Sequence, residues 1–219
     1  MYVSILIPTF NRKKFSELIS HNIKIQKYPF IKEIIVADDG DENERLILDV
    51  PYTVLYYRVE RMTIGQKRNF LIEKATGDYL AHFDTDDMYS PYFLSSSIFN
   101  LIKTGKELSG SADMCMYDTK TKKTFKQRCI MLNMLNEATM VYTRQYANTH
   151  KFSNNMTSEG IDFCDIRKII ETDIDKIMVC LSHGANSVDK TIWINKNYEE
   201  KLNMKQYNQH IHLISLLTI

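Results

Sequence analysis

The sequence predicts an α/β fold with a mostly parallel central sheet and helices on both faces, and three observations carry that expectation. Short apolar runs alternate with stretches of helical periodicity through the first hundred residues. The runs are continuous rather than alternating, as in strands covered on both sides. Three of them stop abruptly in polar clusters, and in open α/β sheets ligands bind beyond the carboxyl ends of the strands. At 219 residues the chain is long enough for one substantial core, so one domain over 1–219 is expected.

Val3 to Ile7 is a β-branched and leucine run ended by Pro8-Thr9-Phe10-Asn11. Phe15, Leu18, Ile19, Ile23 and Ile25 recur at helical spacing between Arg12 and Gln26. Glu33 to Ala37 is a second strand, closed by Asp38-Asp39-Gly40, and Tyr52 to Tyr57 a third. Ile64 to Ala75 reads as a helix with Thr63 as N-cap and Gly77 past its end. Tyr79 to Phe83 is the fourth strand, followed by a helix over Pro91 to Lys103 capped by Ser90. Gly105 to Gly110 is a turn-rich break. Met114 to Tyr117 and Thr124 to Met131 predict a small antiparallel hairpin in the C-terminal half, and Ala138 to Tyr142 a further strand. Glu159 is expected to open a helix through Ile170; Ile177 to Leu181 is strand-like and runs into Ser182-His183-Gly184-Ala185-Asn186-Ser187. The tail from Asp189, with Trp193, shows no clear pattern.

Composition excludes several classes. Hydrophobic residues make up 44% and charged residues 25%, which is ordinary for a globular chain rather than a disordered one. A net charge of +1 argues against nucleic acid as a partner and against a polybasic membrane anchor. No run approaches the roughly 20 apolar residues of a membrane span. The N-terminal apolar run is too short for a signal peptide, so a soluble, cytoplasmic protein is expected. Cys115, Cys129, Cys164 and Cys180 include no Cys-x-x-Cys pair, which fits reduced, buried thiols rather than a zinc site or a disulfide framework.

The chemistry is concentrated in Phe83-Asp84-Thr85-Asp86-Asp87, where a buried strand delivers three carboxylates within four positions. Carboxylates this close raise one another's pKa unless a cation lies among them. Oxygen ligands imply Mg2+ or Mn2+, with an anion such as a diphosphate completing the shell.

These segments resemble a known family. Val3 to Arg12, Ile34 to Gly40, Gly65 with Arg68-Asn69, Ala75 to Tyr79 and Phe83 to Asp87 stand in the order and spacing of family 2 glycosyltransferases with the GT-A fold. The chain also looks like the small glycosyltransferases with which large algal DNA viruses decorate their capsid protein, which would place it in the host cytoplasm. The resemblance implies an enzyme whose residues 1–103 bind the nucleotide sugar and whose residues 104–219 bind the acceptor. It implies that Asp86 ligates Mn2+ or Mg2+, with Asp84 on the ribose or the metal and Thr85 between them; Asp87 reads as a direct ligand or as a helix cap or an acceptor behind the ligands. Pro8, Thr9, Phe10 and Asn11 resemble the base pocket, with Asp38 or Asp39 accepting from a base N–H, which uracil of a UDP-sugar satisfies. Gly65 and Arg68 would lie by the nucleotide, the glycine allowing close backbone approach. Lys67 reads as part of a solvated helix face and His82 as a packed core histidine.

Two later clusters bear on mechanism. Family members carry a Glu-Asp pair whose Asp is the general base of an inverting transfer; here Glu159-Gly160-Ile161-Asp162-Phe163 stands there, Ile161 replaces the glutamate, and Asp162 is taken as the base ahead of Glu159. His183-Gly184-Ala185-Asn186 resembles a late segment whose histidine completes the metal shell or meets the diphosphate. The acceptor implied is a glycan or glycoprotein. A sugar nucleotidyltransferase is disfavoured because no glycine-rich loop follows the first strand, and a binding module without catalysis is suggested only by Ile161.

Overall fold

The computed structural model describes residues 1–128, 134–155, 158–184, 186 and 202–216. Its centre is β1 (Val3–Thr9), every residue of which is buried. Because side chains alternate across a strand, Ile5 and Ile7 enter one hydrophobic cluster and Leu6 the other. β1 pairs in parallel with β2 (Ile31–Asp38) and with β4 (Tyr79–His82), and β2 with β3 (Val54–Arg58). The first cluster packs this sheet against α1 (Ser16–Lys24) and α3 (Phe93–Thr104) through Leu18, Ile19, Phe93 and Ile98. The second packs the other face against α2 (Ile64–Lys74) and α4 (Arg144–Thr149) through Leu71, Ile72, Tyr146 and Ala147. Truncating one such side chain, as in Ile5→Ala, costs about 2–5 kcal/mol.

The remaining strands extend this frame. The main sheet continues past β4 with β9 (Val141–Thr143), β6 (Leu108–Gly110) and β10 (Ile169–Glu171), in the order β10-β6-β9-β4-β1-β2-β3. β9 is antiparallel to both of its neighbours. A second sheet has the order β5-β11-β7-β8 and contains β5 (Met88–Tyr89), β7 (Asp113–Asp118), β8 (Thr124–Arg128) and β11 (Met178–Ser182). The β7–β8 pair is the expected antiparallel hairpin; 129–131 of the expected second strand, Cys129 included, lie outside the described residues. A helix over Asn208–Leu216 packs on α1, whereas Trp193, Ala185 and Ser187 lie outside the described residues. Among the described residues no helix is long and apolar enough to cross a membrane.

Several local expectations are corrected. Glu159 does not open a helix: 159–163 is a turn, leading to a single 3-10 turn at Ile166–Lys168 and then β10. Local bonds from the Phe163 and Cys164 N–H groups to the Gly160 carbonyl close one turn without propagating, and distant groups hold it: Tyr146 Oη donates to the Phe163 carbonyl and accepts from the Asp165 N–H at 3.0 Å. Pro91 stays outside α3, because Ser90 closes the preceding turn by accepting the Phe93 N–H on its carbonyl and the Tyr92 N–H on its hydroxyl. The Gly105–Gly110 break contains a strand, reached through Gly105 at φ 67°, a left-handed C-cap that glycine adopts at little cost.

Candidate active site

β1 and β2 end side by side, with Thr9 opposite Asp38. Asp38 is neutralised within its own turn: Oδ1 accepts the Gly40 N–H at 2.9 Å, and Oδ2 meets Arg58 Nη1 at 2.7 Å and the Tyr56 hydroxyl. Asp39 pairs with Lys67 Nζ, with Arg61 Nη1 at 3.3 Å, and accepts the Met62 N–H at 3.2 Å. Lys67 also donates to the Thr9 carbonyl at 2.9 Å. Lys67 is therefore buried and belongs to this pocket, not to a solvated helix face. Burial pulls its pKa below the ordinary lysine value, against the opposing hydrogen bond and charge of Asp39. The Thr9 hydroxyl is buried without a partner among the described residues. Phe10 is exposed and carries the Arg61 guanidinium 3.6 Å above its ring. Asn11 adopts φ 53° and holds Asp41 by its amide, 2.7 Å from Oδ1 to the Asp41 N–H. Pro8, still within β1, is buried.

α2 starts where expected. Thr63 accepts the Gln66 N–H at 3.2 Å and the Gln66 side chain answers at the Thr63 N–H at 2.9 Å, a reciprocal cap worth about 1 kcal/mol. The glycine at 65 does admit a close backbone approach, but by the protein: a Cβ there would lie 1.7 Å from the Ser153 carbonyl oxygen. Arg68, one helical step on, is buried; its Nε donates to Glu159 Oε1 at 2.8 Å and its Nη2 meets Asp84 Oδ1 at 3.3 Å. Burial disfavours its charge, yet Asp84, Glu159 and Glu137 together outweigh that and hold it above the ordinary arginine value.

The three crowded carboxylates of the acidic loop are separated by the partners they find. Asp84 faces Arg68, and its N–H donates to the Tyr89 hydroxyl at 2.8 Å. Asp86 Oδ2 lies 3.3 Å from Arg12 Nη2 and 3.1 Å from His183 Nε2. Asp87 is buried and accepts the Leu181 N–H at 2.9 Å, so it ties β11 to the loop. Thr85 is buried between them. β11 delivers His183, whose ring stacks obliquely on Phe15 at 5.1 Å, while Asn186 Oδ1 accepts its N–H at 2.6 Å. His82 is a core residue, 2.8 Å from the Tyr142 hydroxyl, and burial followed by the nearby Arg68 charge keeps its pKa well below normal. Among the described residues no three metal-ligating side chains converge. Asp86 and His183 nevertheless form a two-ligand corner on a partly exposed carboxylate, the kind of set that holds a divalent ion together with substrate phosphates rather than in a closed protein cage. Its nitrogen ligand suits Mn2+ better than Mg2+.

The turn at 158–163 divides the two expected bases. Glu159 is buried on Arg68, inside the cluster. Asp162 is exposed and makes no hydrogen bond or ion pair among the described residues. A third acid, invisible to pattern reading because it precedes β9 in a short polar turn, joins them: Glu137 Oε1 accepts the Gly160 N–H at 3.0 Å. Burial, then the Glu159 charge, push the Glu137 carboxyl above the usual carboxylate range.

Known proteins share both pattern and fold. The chain is 31% identical over 128 residues to the abequosyltransferase RfbV of Salmonella typhimurium, covering 55% of this chain and 36% of that protein. It is 29% identical over 92 residues to a putative teichuronic acid biosynthesis glycosyltransferase, TuaG, of Bacillus subtilis, covering 40% and 36%. The match spans well under half the length of these relatives. Among solved structures, S. aureus TarS 1-349 with UDP-GlcNAc superposes with a TM-score of 0.60 at 15% identity, covering 85% of this chain and 60% of that one. The mannosyltransferase PcManGT of Pyrobaculum calidifontis, with GDP-Man and Mn2+, gives 0.58 at 14% identity, covering 97% and 68%. These likenesses establish the GT-A fold. The family model for glycosyl transferase family 2 matches residues 4–162, from the second residue of β1 through the acidic loop to Asp162, and the chain belongs to that family.

Proposed function

We propose that the chain is a metal-dependent, inverting glycosyltransferase that moves a sugar from a nucleoside diphosphate sugar, preferably a UDP-sugar, to a hydroxyl of a glycan or glycoprotein. The observation that carries this reading is the joining of Asp86, His183 and Arg12 beside Arg68 and Asp84, at the strand ends where the unpartnered Thr9 hydroxyl also lies. Asp86 and His183 would hold Mn2+. The ion, when bound, supplies charge stabilisation for the departing diphosphate. Arg12 adds a second positive group at that end, and Arg68 orients Asp84 toward the donor. Thr9 and Asp39, with Arg61 stacked on Phe10, form the polar and aromatic edge offered to the base. The acceptor hydroxyl attacks the anomeric carbon from the face opposite the diphosphate and gives its proton to a carboxylate near the 158–163 turn. Support comes from neighbours of the same fold crystallised with UDP-GlcNAc, with GDP-Man and Mn2+, and with UDP and Mn2+.

The test is a panel of sugar nucleotides assayed for Mn2+-dependent hydrolysis and transfer, beside thermal shifts with UDP, GDP and CDP. Turnover of a UDP-sugar is expected, with UDP plus Mn2+ raising stability by about 2.7 kcal/mol at a hundredfold excess over Kd. Turnover confined to GDP-sugars would overturn the uracil reading. Absence of turnover and of any nucleotide shift would overturn the whole.

A further inference from the structure

Resting on the transferase reading, we infer that Glu137, rather than either acid of the 158–163 turn, is the base that takes the proton of the attacking hydroxyl. The geometry around Gly160 points to it. A side chain at position 160 would begin inside the Glu137 carboxyl: a Cβ built there lies 2.8 Å from Oε1, 2.9 Å from Cγ and 3.1 Å from Cδ. Glu137 thus fills, from a different strand connection, the space in the turn that glycine leaves open. Its Oε1 is fixed by the Gly160 N–H at 3.0 Å. The neighbouring Ala138 carbonyl accepts from the Tyr89 hydroxyl at 3.0 Å, and the same hydroxyl accepts the Asp84 N–H, so this carboxyl is anchored to the loop that faces the leaving group.

The other two acids fit the task less well. Glu159 is committed to Arg68 Nε at 2.8 Å and buried against it. Asp162 is exposed and outside the cluster. Glu137 is half-buried and faces Arg68 together with Glu159, and burial and the Glu159 charge raise its basicity as a general base requires. In the step, the acceptor O–H bond breaks and its proton passes to the Glu137 carboxylate. The released electron pair forms the bond from oxygen to the anomeric carbon, and the bond from that carbon to the diphosphate oxygen breaks with its pair left on the diphosphate.

Glu137→Gln keeps the shape and the acceptor for the Gly160 N–H. Its kcat is expected to fall by about 10²- to 10⁴-fold, with UDP affinity in the presence of Mn2+, read by titration calorimetry, within about twofold of wild type. A stricter variant returns a carboxylate to the same space by another route: Glu137→Ala combined with Gly160→Asp should recover at least about tenfold over Glu137→Ala alone, which a merely structural role of Glu137 would not produce. A Glu137→Gln enzyme retaining more than about a third of wild-type kcat would overturn the assignment and return the base to Asp162 or Glu159. So would a double variant that binds UDP and shows no recovery. A wild-type chain that binds UDP and transfers from no sugar nucleotide would instead remove the transferase reading, and this assignment with it.

Discussion

Two acidic regions share one sheet edge, and they differ in how their charge is balanced. Where β1, β2 and α2 meet, each carboxylate has its own cation: Asp38 has Arg58, and Asp39 has Lys67 and Arg61. Around Arg68 the count reverses among the described residues, with Asp84, Glu159 and Glu137 facing one guanidinium. Buried charges persist when they are paired, so the first region is complete as it stands. The second carries a surplus of negative charge that a proton or a cation relieves. A preformed pocket whose carboxylates are all paired suits recognition of a base; a cluster of acids around one guanidinium suits metal binding and proton transfer.

The comparison breaks most visibly at Asp86, which stands two residues along the acidic loop from Asp84 and meets Arg12 and His183. On the proposed reading Asp86 would ligate the ion at the leaving group, and losing such a ligand removes several kcal/mol of transition-state stabilisation. Asp86→Ala should therefore lower transfer by about 10³-fold, at roughly 1.4 kcal/mol per decade, and should abolish the dependence of UDP affinity on Mn2+ in calorimetry. An Asp86→Ala enzyme with unchanged Mn2+ dependence would move the metal off this corner. The balanced region should fail in another way. Lys67→Met leaves buried Asp39 with the half-exposed Arg61 at 3.3 Å and the Met62 N–H, and breaking a buried pair costs about 3–5 kcal/mol. Urea unfolding should show that loss, whereas residual transfer at saturating donor should remain well above that of Asp86→Ala.

The same contrast explains what was legible in the sequence. β1, β2 and β4 are written in uninterrupted apolar runs, and Thr63 announces the start of α2, because these features depend on residues a few positions apart. The acidic loop, Thr9, Asp38, Asp39 and Arg68 are legible for a related reason: they sit at strand ends and a helix start that the local pattern already places. Lys67 was not, since only the packing of α2 across the strand ends turns one face of that helix into a buried wall. The turn at 158–163 imitates a helix start, with an acid followed by apolar residues, and makes local bonds from the Ile161, Phe163 and Cys164 N–H groups, but what fixes it in place is Glu137, Tyr146 and Ser153. Partners supplied across the fold leave no periodicity to read.

Acid should expose a weakness behind the second region and leave its signature in the slope of stability against pH. His210 on the C-terminal helix donates to Asn22 Oδ1 at 3.0 Å; the same oxygen accepts the Tyr89 N–H, and Tyr89 holds Asp84. Burial, then the neighbouring His21, depress the His210 pKa from 6.5 to about 3. A histidine kept neutral in the folded state binds its proton more readily when unfolded, so its contribution is full above pH 6.5 and is lost as pH falls toward 3, at up to about 1.4 kcal/mol per pH unit. Stability should drop by roughly 2 kcal/mol between pH 6.5 and pH 5 from this group, and His210→Gln should flatten that part of the curve in denaturant titrations.

The smallest effect probes whether the balanced region is built for a ligand. The Thr9 hydroxyl is buried and unpartnered among the described residues, although every charged group around it is paired. A buried hydroxyl with no partner costs stability, so replacing it with a methyl group of the same shape is neutral or favourable to folding. Thr9→Val should leave the melting temperature unchanged or slightly raised. If the hydroxyl waits for a polar atom of the base, the same variant loses one hydrogen bond on binding, about 0.5–1.5 kcal/mol, or roughly two- to twelvefold in UDP affinity. Opposite signs in the two measurements would mark Thr9 as a recognition group, whereas a Thr9→Val protein that binds UDP as wild type does would leave base recognition to Asp39 and the Arg61–Phe10 stack.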